Sequence, residues 1–448
     1  ATFHFEDNKM NKEITYFFAK TGPDDEKLHR RVTEADKFKS RMAGSFFYVF
    51  VSSMNEFVMY YVELWGANLV FRKAEHLPML TFIDLNFLQM KRRAATMGSK
   101  ELIGINISNK ALCEEIYTDN LATFEKWWDL LKKICVQPKF GEGHETVKVL
   151  AQGLNSKIFQ VKKVDSGAEF AVKVFDKRLV MHKELDSLLV RNEVSLLRMA
   201  DHPNLIRMVE LYEGDTYIYC VVDFCKGKRL FDEVSEKRNL PEGYALKILR
   251  KVLEALVWLH SNRIIHRDVK LENILFRGKT LEQGLCLVDL GFAVAVDDAQ
   301  RILPNCGTPG YTAPEVLLKK QYDTKADVFS LGVVLYIMLT GREPFAAPTE
   351  KAVVEKNRSC KIDFCFAEMG LGFTPPTKDL LRRMLAFDPR SRPTSSECLA
   401  HMAFNGTEVN LWSVPPNNLS YTLPALTPSH QHYNVPGIPE NRIEDLRD

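Results

Sequence analysis

The sequence predicts a multidomain α+β protein, in which a small β-barrel or sandwich with a C-terminal helix precedes a larger domain of mixed strands and helices. Three observations favour this fold class. The chain has 448 residues, too many for one ordinary hydrophobic core. Short β-rich runs separated by turn residues follow one another from residue 41. Further along, the polar stretch "HRDVKLENILF" (266–276) lies between apolar segments, as a rigidly held loop does.

Composition excludes several classes of protein. The chain is 46% hydrophobic, with 60 basic and 58 acidic residues, so no net field favours nucleic acid or a membrane surface. The nine cysteines include no CxxC pair, which argues against disulfides or a zinc site and favours a reducing compartment. Residues 1–20 do not read as a signal peptide. The most apolar region, 43–71, is too interrupted for a membrane helix.

The first two regions are a charged leader (1–40) and a strand-rich domain (41–138). The leader is interpreted as a solvated helix, a flexible segment or a regulatory segment. In the domain, seven or so strands lead into "TDNLATFEKWWDLLKKIC", whose apolar residues recur at helical spacing after N-cap candidates at 118–120. These apolar residues are Phe124, Trp127 or Trp128, Leu131 and Ile134. This pattern resembles a pleckstrin-homology domain.

Two segments are predicted to lack regular structure. Proline and glycine in "QPKFGEGHE" (137–145) break both periodicities and predict a linker. The tail 405–448 holds six prolines and is expected to be extended, free or laid along the domain before it. Between them, 146–404 forms the second domain.

That second domain carries five motifs in a fixed order. Lys173 lies in the apolar strand "FAVKVF", and Glu193 lies in a helix-like segment. The polar loop 266–276 follows, then Asp289 at the end of an apolar strand, then "GTPGYTAPE" (307–315). This order and spacing resemble the signature of protein kinases over 146–404. The resemblance implies a bilobal protein-kinase fold.

The resemblance also implies a role for each charged residue. Lys173 would hold the α- and β-phosphates of ATP, kept in place by an ion pair with Glu193. Asp289 and Asn273 would bind Mg²⁺ through their oxygens. Asp268 would orient the substrate hydroxyl, and Lys270 would neutralise charge on the γ-phosphate. The loop needs these residue types because they converge on one phosphate.

The nucleotide pocket is inferred from the same resemblance. In "YCVVDFCKG" (219–227) Val222 would be the gatekeeper, and the backbone at Asp223 and Cys225 would contact adenine. The phosphate loop departs from GxGxxG, since only Gly153 remains a glycine where Ala151 and Ser156 take the other two positions. The inferred cofactor-binding residues are Lys173, Glu193, Gly153, Ser156, Ile158, Ala171, Val222, Asp223 and Cys225. Loss of the loop's function would instead make the domain a pseudokinase scaffold.

Other residues match supporting roles. Asp327 would brace the catalytic loop, and Glu315 would pair with Arg392. The segment 293–305 has no Ser, Thr or Tyr. Activity is therefore expected without phosphorylation there. Asp297 and Asp298 either pair with Arg267 or another cation, or form a solvated acidic turn.

The motifs "CGTPGYTAPEVL", "YDTKADVFSLGVVLYIMLTGREPF" and "ECLAHMAF" resemble the calcium/calmodulin-dependent kinase group, including protein kinase D and calcium-dependent kinases with a pleckstrin-homology domain. The expected function is ATP- and Mg²⁺-dependent transfer of phosphate to Ser or Thr of protein substrates, in the cytoplasm or at a membrane periphery. The stretch 46–64 has no Lys or Arg, so strong lipid binding is not expected. A protein partner is expected for this domain instead. "KRR" (91–93) is the alternative basic site, or a solvated loop. By the same resemblance, Arg229 occupies a position that contacts the substrate, where its positive charge would repel a substrate arginine. A weakened preference for arginine three residues before the acceptor is therefore predicted.

Overall fold

The computed structural model describes residues 41–51, 56–65, 67–77, 79–85, 88–109, 112–153, 156–299, 306–366 and 371–405. The leader and the tail beyond 405 lie outside the described residues, so their interpretation stays a prediction. The described residues fall into two compact units. Unit one holds 41–191 and 208–223, and unit two holds 192–207 and 224–405.

Unit one begins with seven antiparallel strands. They are β1 (Arg41–Val51), β2 (Glu56–Trp65), β3 (Asn68–Arg72), β4 (Met79–Asp84), β5 (Gln89–Met97), β6 (Lys100–Ser108) and β7 (Cys113–Thr118). Their order in the sheet is β4-β3-β2-β1-β7-β6-β5. Side chains alternate between the two faces: Phe47 and Val49 are buried, whereas Phe46 and Phe50 are exposed. The predicted strand-rich region is confirmed, and "KRR" lies in strand β5, not in a loop.

Helix α1 (Leu121–Leu131) closes this group of strands. It begins after Asn120, whose side chain accepts a hydrogen bond from the backbone N–H of Thr123 at 2.9 Å, as the N-cap prediction required. Phe124, Trp127 and Leu131 are fully buried in the core. The Trp127 ring meets Phe47 edge to face, with ring centroids 5.0 Å apart. The helical stripe read from the sequence is therefore the core-facing one.

The predicted linker 137–145 is wrong in part, because it contains regular structure. Strand β8 (Val136–Gln137) and the one-turn helix α2 (Phe140–Gly143) lie there. The Phe140 ring stacks between His144 and Tyr219, with centroids 4.8 and 4.3 Å away. Proline and glycine end elements locally, but packing against a sheet orders this segment.

The described remainder of unit one holds a five-stranded antiparallel sheet, one short helix and the N-terminal half of a longer helix that continues into unit two. Its elements are β9 (His144–Gln152), β10 (Ser156–Lys163), β11 (Glu169–Asp176), helix α3 (Lys177–Val180), β12 (Met208–Glu213) and β13 (Tyr217–Asp223). The strand order is β12-β13-β11-β10-β9. Strand β8 pairs in parallel with both β5 and β12. The thirteen strands described for unit one therefore form one continuous hydrogen-bonded sheet.

Helices dominate unit two, which also holds the C-terminal half of α4 (Glu184–Met199). Its other helices are α5 (Leu230–Lys237), α6 (Glu242–Ser261), α7 (Pro314–Leu317), α8 (Lys325–Thr340), α9 (Glu350–Ser359), α10 (Pro375–Met384) and α11 (Ser395–Leu399). Its strands are β14 (Ile264–Ile265), β15 (Ile274–Phe276), β16 (Leu285–Leu287) and β17 (Val294–Ala295). Helix α8 is buried from 326 to 340, as expected of a helix that is apolar on all sides. Among the described residues, no helix is both long and apolar enough to span a bilayer.

Candidate active site

Two short strand pairs hold the ends of the polar loop 266–276. Strand β14 pairs with β17, where Ile264 lies opposite Ala295. Strand β15 pairs with β16, where Ile274 lies opposite Leu287. These pairings confirm the predicted apolar anchors and keep the intervening polar residues in fixed positions.

Asp327, on helix α8, braces this loop from within unit two. Its carboxylate accepts hydrogen bonds from the backbone N–H groups of His266 and Arg267, both at 2.8 Å, and lies 2.9 Å from His260 Nε2. Burial alone would raise the pKa of Asp327, but the hydrogen bond and charge of His260 hold that pKa below its ordinary value. Arg267 has a left-handed backbone, with φ of 68°. The bonds from Asp327 stabilise this strained conformation, and the predicted brace is confirmed.

The three predicted catalytic residues meet around the buried Asp268 carboxylate. Lys270 Nζ lies 2.9 Å from Asp268 Oδ2. Asn273 Nδ2 donates to Asp268 Oδ2 at 3.0 Å and to its backbone oxygen at 2.9 Å. The Thr308 hydroxyl donates to Asp268 Oδ1 at 2.6 Å and accepts from Lys270 Nζ at 2.9 Å. The carboxylate is therefore held from both sides.

Thr308 is a site residue that the sequence reasoning missed. It belongs to "GTPGY" (307–311), which served there only as a marker between two motifs. The available signal was a hydroxyl beside two glycines in a segment that follows the loop. Only the fold shows that this hydroxyl bridges Asp268 and Lys270.

Oxygen ligands suited to a magnesium ion lie on the same unit. Asp289 follows strand β16 in a left-handed conformation, with φ of 65°, and its Oδ1 accepts from the Gly291 N–H at 3.4 Å. The Asn273 amide directs its N–H groups to Asp268, so its oxygen is on the other side of the amide. No cluster of three or more His, Cys, Asp or Glu side chains in the described residues forms a complete metal cage. Magnesium fits this donor set, because it usually takes one or two protein oxygens and completes its shell with phosphates and water.

Unit one carries several of the predicted nucleotide contacts on one face of its sheet. Lys173 lies in the middle of β11, opposite Ile158 on β10 and Cys220 on β13. Ala171 lies two residues away, opposite Val222. Because side chains alternate along strands, these residues share a face, whereas Val172 and Val174 point to the core. The Lys173 ammonium lies 5.4 Å from the centre of the Phe175 ring.

The phosphate loop joins β9 to β10. The Gly153 N–H donates to the Ser156 carbonyl at 2.8 Å, and residues 154–155 lie outside the described residues. A Cβ added at Gly153 would meet nothing closer than Ser156 Oγ at 3.5 Å. Ala151 pairs with Ile158 as an ordinary strand residue. The two departures from the glycine pattern, at positions 151 and 156, are therefore paired residues of β9 and β10.

The remaining predicted nucleotide contacts belong partly to unit one and partly to unit two. Val222 and Asp223 end unit one, whereas Glu193 and Cys225, both buried, belong to unit two. The Lys173–Glu193 ion pair and the adenine contacts thus join residues of different units and stay predictions. Just after Cys225, the Gly227 N–H donates to the Phe276 carbonyl at 3.0 Å, which ties this stretch to the end of β15.

Glu315 and Arg392 form the predicted buried ion pair. Two guanidinium nitrogens meet the two carboxylate oxygens, each at 2.6 Å. The guanidinium also lies 5.0 Å from the centre of the Phe329 ring and donates to the Ala386 carbonyl at 2.7 Å. This planar, bidentate geometry is the strong form of an Arg–carboxylate contact.

The two acidic residues that follow β17, Asp297 and Asp298, differ in exposure. Asp297 Oδ1 lies 2.8 Å from an Arg263 nitrogen, and both side chains are well exposed. Asp298 is buried. Arg267 Nε donates to the Phe292 carbonyl, and its Nη1 donates to the Tyr322 hydroxyl at 3.3 Å. Asp297 thus pairs with a cation other than Arg267, which was one of the predicted alternatives. Residues 300–305 lie outside the described part of the chain.

A catalytic loop braced from a buried helix, with an aspartate held by lysine, asparagine and threonine, defines a protein kinase domain. Residues 144–404, more than half of the chain, match the family model described as the protein kinase domain. The chain therefore belongs to the protein kinase domain family.

Several curated relatives are similar over the same region. A calcium/calmodulin-dependent protein kinase, cmkB, of Emericella nidulans is 32% identical over 266 residues, 58% of this chain and 65% of the relative. Calcium-dependent protein kinase 4 of Plasmodium falciparum is 32% identical over 263 residues, 58% of this chain and 49% of the relative. Calcium/calmodulin-dependent protein kinase type I of Schizosaccharomyces pombe is 31% identical over 261 residues, 57% of this chain and 76% of the relative. The match thus spans about half to three quarters of these proteins.

Proposed function

We propose that this chain is an active protein Ser/Thr kinase that uses ATP and Mg²⁺. The observation that carries the proposal is the closed network on Asp268, whose two oxygens are held by Thr308, Lys270 and Asn273. Phosphoryl transfer depends mainly on positioning and charge stabilisation. A carboxylate fixed in this way can orient a substrate hydroxyl and take up its proton, and the adjacent ammonium can stabilise charge on the transferred group.

The nucleotide is assigned to the residues that the kinase resemblance implies. Lys173, Ile158, Ala171 and Val222 share one sheet face that would meet it, and Gly153 and Ser156 would lie beside its phosphates. Asp289 and the Asn273 oxygen would hold Mg²⁺, which supplies charge neutralisation between phosphates when bound. Glu193, Asp223 and Cys225 complete the proposed set.

The test is transfer of the γ-phosphate to a generic Ser/Thr peptide with Mg²⁺ and ATP. Asp289→Ala and Lys173→Met should each keep less than a tenth of wild-type kcat, which corresponds to about 1.4 kcal/mol or more in the barrier. Folding of each variant is checked by thermal melting. A variant that keeps more than a tenth of kcat would show that its assigned role is wrong.

A catalytically weak scaffold is the second candidate, favoured by the loss of two of the three phosphate-loop glycines. This reading expects partner binding by both domains and little transfer. Magnesium-dependent nucleotide binding combined with peptide phosphorylation separates the two candidates. Binding without transfer by the wild-type protein would support the scaffold.

We further propose that activity needs no phosphorylation between 293 and 305, since no Ser, Thr or Tyr lies there. Asp297 supplies fixed negative charge next to Arg263 in this segment. Phosphatase-treated protein expressed in bacteria should be active. Inactive protein that recovers only when this segment is modified would contradict the proposal.

We propose that 41–138 is a pleckstrin-homology-like module that binds a protein partner and binds lipid weakly. Two of the three cations of its runner-up basic site already face a carboxylate, and the first, Arg92, lies 3.6 Å from Glu125 and over the Phe124 and Trp128 rings. Arg93 lies 3.5 Å from Glu115. Headgroup-selective, submicromolar binding of the full chain to phosphoinositide vesicles, abolished by changing residues 91–93, would contradict this proposal.

Membership of the calcium/calmodulin-dependent kinase group is proposed on the motifs at 306–317, 322–345 and 397–404, and the named relatives support it.

The proposed location is the cytoplasm or a membrane periphery, and cell fractionation tests it. A chain recovered only in the nucleus or an organelle lumen would contradict this location.

A further inference from the structure

Helix α9 carries an asparagine that is completely buried. Asn357 has no exposed surface, and its Oδ1 accepts a hydrogen bond from the Gly310 N–H at 3.2 Å. Gly310 has φ of 87°, a left-handed conformation in which other residues are strained. A side chain on one helix thus fixes the backbone of a separate segment, 307–312.

The amide group makes this position costly for stability. Within the described residues, Asn357 Nδ2 is buried and has no hydrogen-bond partner. A buried donor without a partner destabilises a fold, and an apolar side chain of similar size would avoid that penalty. The gain that accompanies this cost is the bond to Gly310.

The segment that Asn357 holds is the one that reaches the catalytic aspartate. Thr308, two residues before Gly310, bridges Asp268 and Lys270. The Tyr311 carbonyl accepts from Ser330 Oγ on helix α8 at 2.8 Å. The segment is therefore anchored at three points: the catalytic loop, α8 and α9.

We propose that Asn357 is a positioning residue for the protein substrate. Thr308 contacts the carboxylate assigned to the acceptor hydroxyl, so residues 309–311 lie beside the peptide that carries this hydroxyl. The bond from Asn357 sets the position of this backbone, and with it the fit of the peptide next to the phosphorylated residue. The inference rests on the proposed kinase activity.

The experiment compares steady-state kinetics of the full chain and three variants. Asn357→Ala removes the acceptor and should raise the peptide KM about fivefold, the value of roughly one hydrogen bond, with the KM for ATP unchanged. Asn357→Asp keeps an acceptor oxygen and should stay within about twofold of the wild-type peptide KM. Thr377→Val is the matched control, because Thr377 is equally buried in unit two and accepts from Thr374 Oγ1 at 3.1 Å.

The proposal fails if Asn357→Ala leaves the peptide KM within twofold of wild type, or if Thr377→Val raises it equally. Should Asn357→Ala not fold, hydrogen exchange of the Gly310 amide in the wild-type protein decides: protection is expected, and exchange at the rate of an open amide overturns the proposal. A wild-type chain without any transfer would overturn the kinase proposal and this inference together. An active wild-type chain with an unchanged variant would overturn the inference alone.

Discussion

Two buried glutamates, one in each unit, are neutralised in different ways. Among the residues that the structure describes, the Glu315 carboxylate meets a single partner, since Arg392 contacts both of its oxygens at 2.6 Å. Glu210 meets several partners on different elements. Its Oε1 lies 3.0 Å from Lys163 Nζ, and its Oε2 accepts from the Tyr212 hydroxyl at 2.9 Å and lies 3.6 Å from His144 Nε2.

The difference shows two ways to bury a charge. A planar guanidinium satisfies a carboxylate with fixed geometry, so the contact is specific to one pair. The Glu210 cluster instead gathers side chains from β9, β10 and β12, and Lys132 beyond α1 lies 4.0 Å away. Neither ring nitrogen of the buried His144 makes a hydrogen bond within the described part of the chain. The Glu315–Arg392 contact is therefore confined to one pair. The Glu210 contacts are spread over several elements near β8, the strand that pairs with both β5 and β12.

The largest expected effect is on the specific pair. Arg392→Leu leaves Glu315 buried without its partner and should lower the free energy of unfolding of the catalytic domain by about 3–5 kcal/mol. Urea denaturation of the full chain, followed by tryptophan fluorescence and far-UV circular dichroism, measures it. Arg390→Ala removes an exposed pair with Asp388 and should change nothing measurable. Equal losses in both variants would remove the distinction.

A smaller loss is expected at the distributed cluster. Glu210→Gln keeps the side-chain shape, but weakens its contacts with Lys163 and Tyr212 together. The expected loss is about 1–3 kcal/mol, because several partners share the charge and the Lys163 side chain stays 21% exposed. Glu142→Gln, at the exposed pair with Lys139, is the control. If Glu210→Gln destabilises the chain as much as Arg392→Leu, the cluster is as specific as the pair.

The pH dependence of the two regions should also differ. Burial lowers the pKa of His144 below its ordinary value of 6.5, against the opposing influence of Glu210. The unfolded chain therefore binds a proton near pH 6.5 that the folded chain binds only at lower pH, so stability is lost as pH falls from about 6.5 towards the lowered pKa. His144→Phe keeps the aromatic stacking on Phe140. This variant should show a smaller fall in melting temperature as pH is lowered below about 6.5. An unchanged slope would mean that His144 does not cause it.

The smallest effect is expected at exposed charges. Arg229 lies 2.7 Å from Asp232, and Lys228 lies 2.7 Å from Glu233, so each cation already has a carboxylate partner. Arg229→Glu should increase selection for arginine three residues before the acceptor by about two- to fivefold in a peptide library. Lys237→Glu, an exposed change at the far end of the helix that follows Arg229, is the control. Strong selection for that arginine by the wild-type chain would contradict the assigned repulsion.

Sequence alone identified most of the catalytic unit. The apolar anchors around 266–276, the Asp327 brace and the Glu315–Arg392 pair were all predicted and are present. These features could be read because phosphate chemistry needs given residue types in a given order. A motif in which each residue has one partner leaves a recognisable trace in the sequence.

Tertiary structure decided the features that depend on distant partners. Only the second residue of strand β8, Gln137, falls in the predicted linker, and the strand gave no local signal because its pairing partners on β5 and β12 lie roughly 45 and 75 residues away in sequence. For the same reason the bridging role of Thr308 and the bond from Asn357 to Gly310 could not be read from spacing. Local propensity sees neighbours within a turn or two, whereas burial and hydrogen bonding are set by whichever segments the fold brings together.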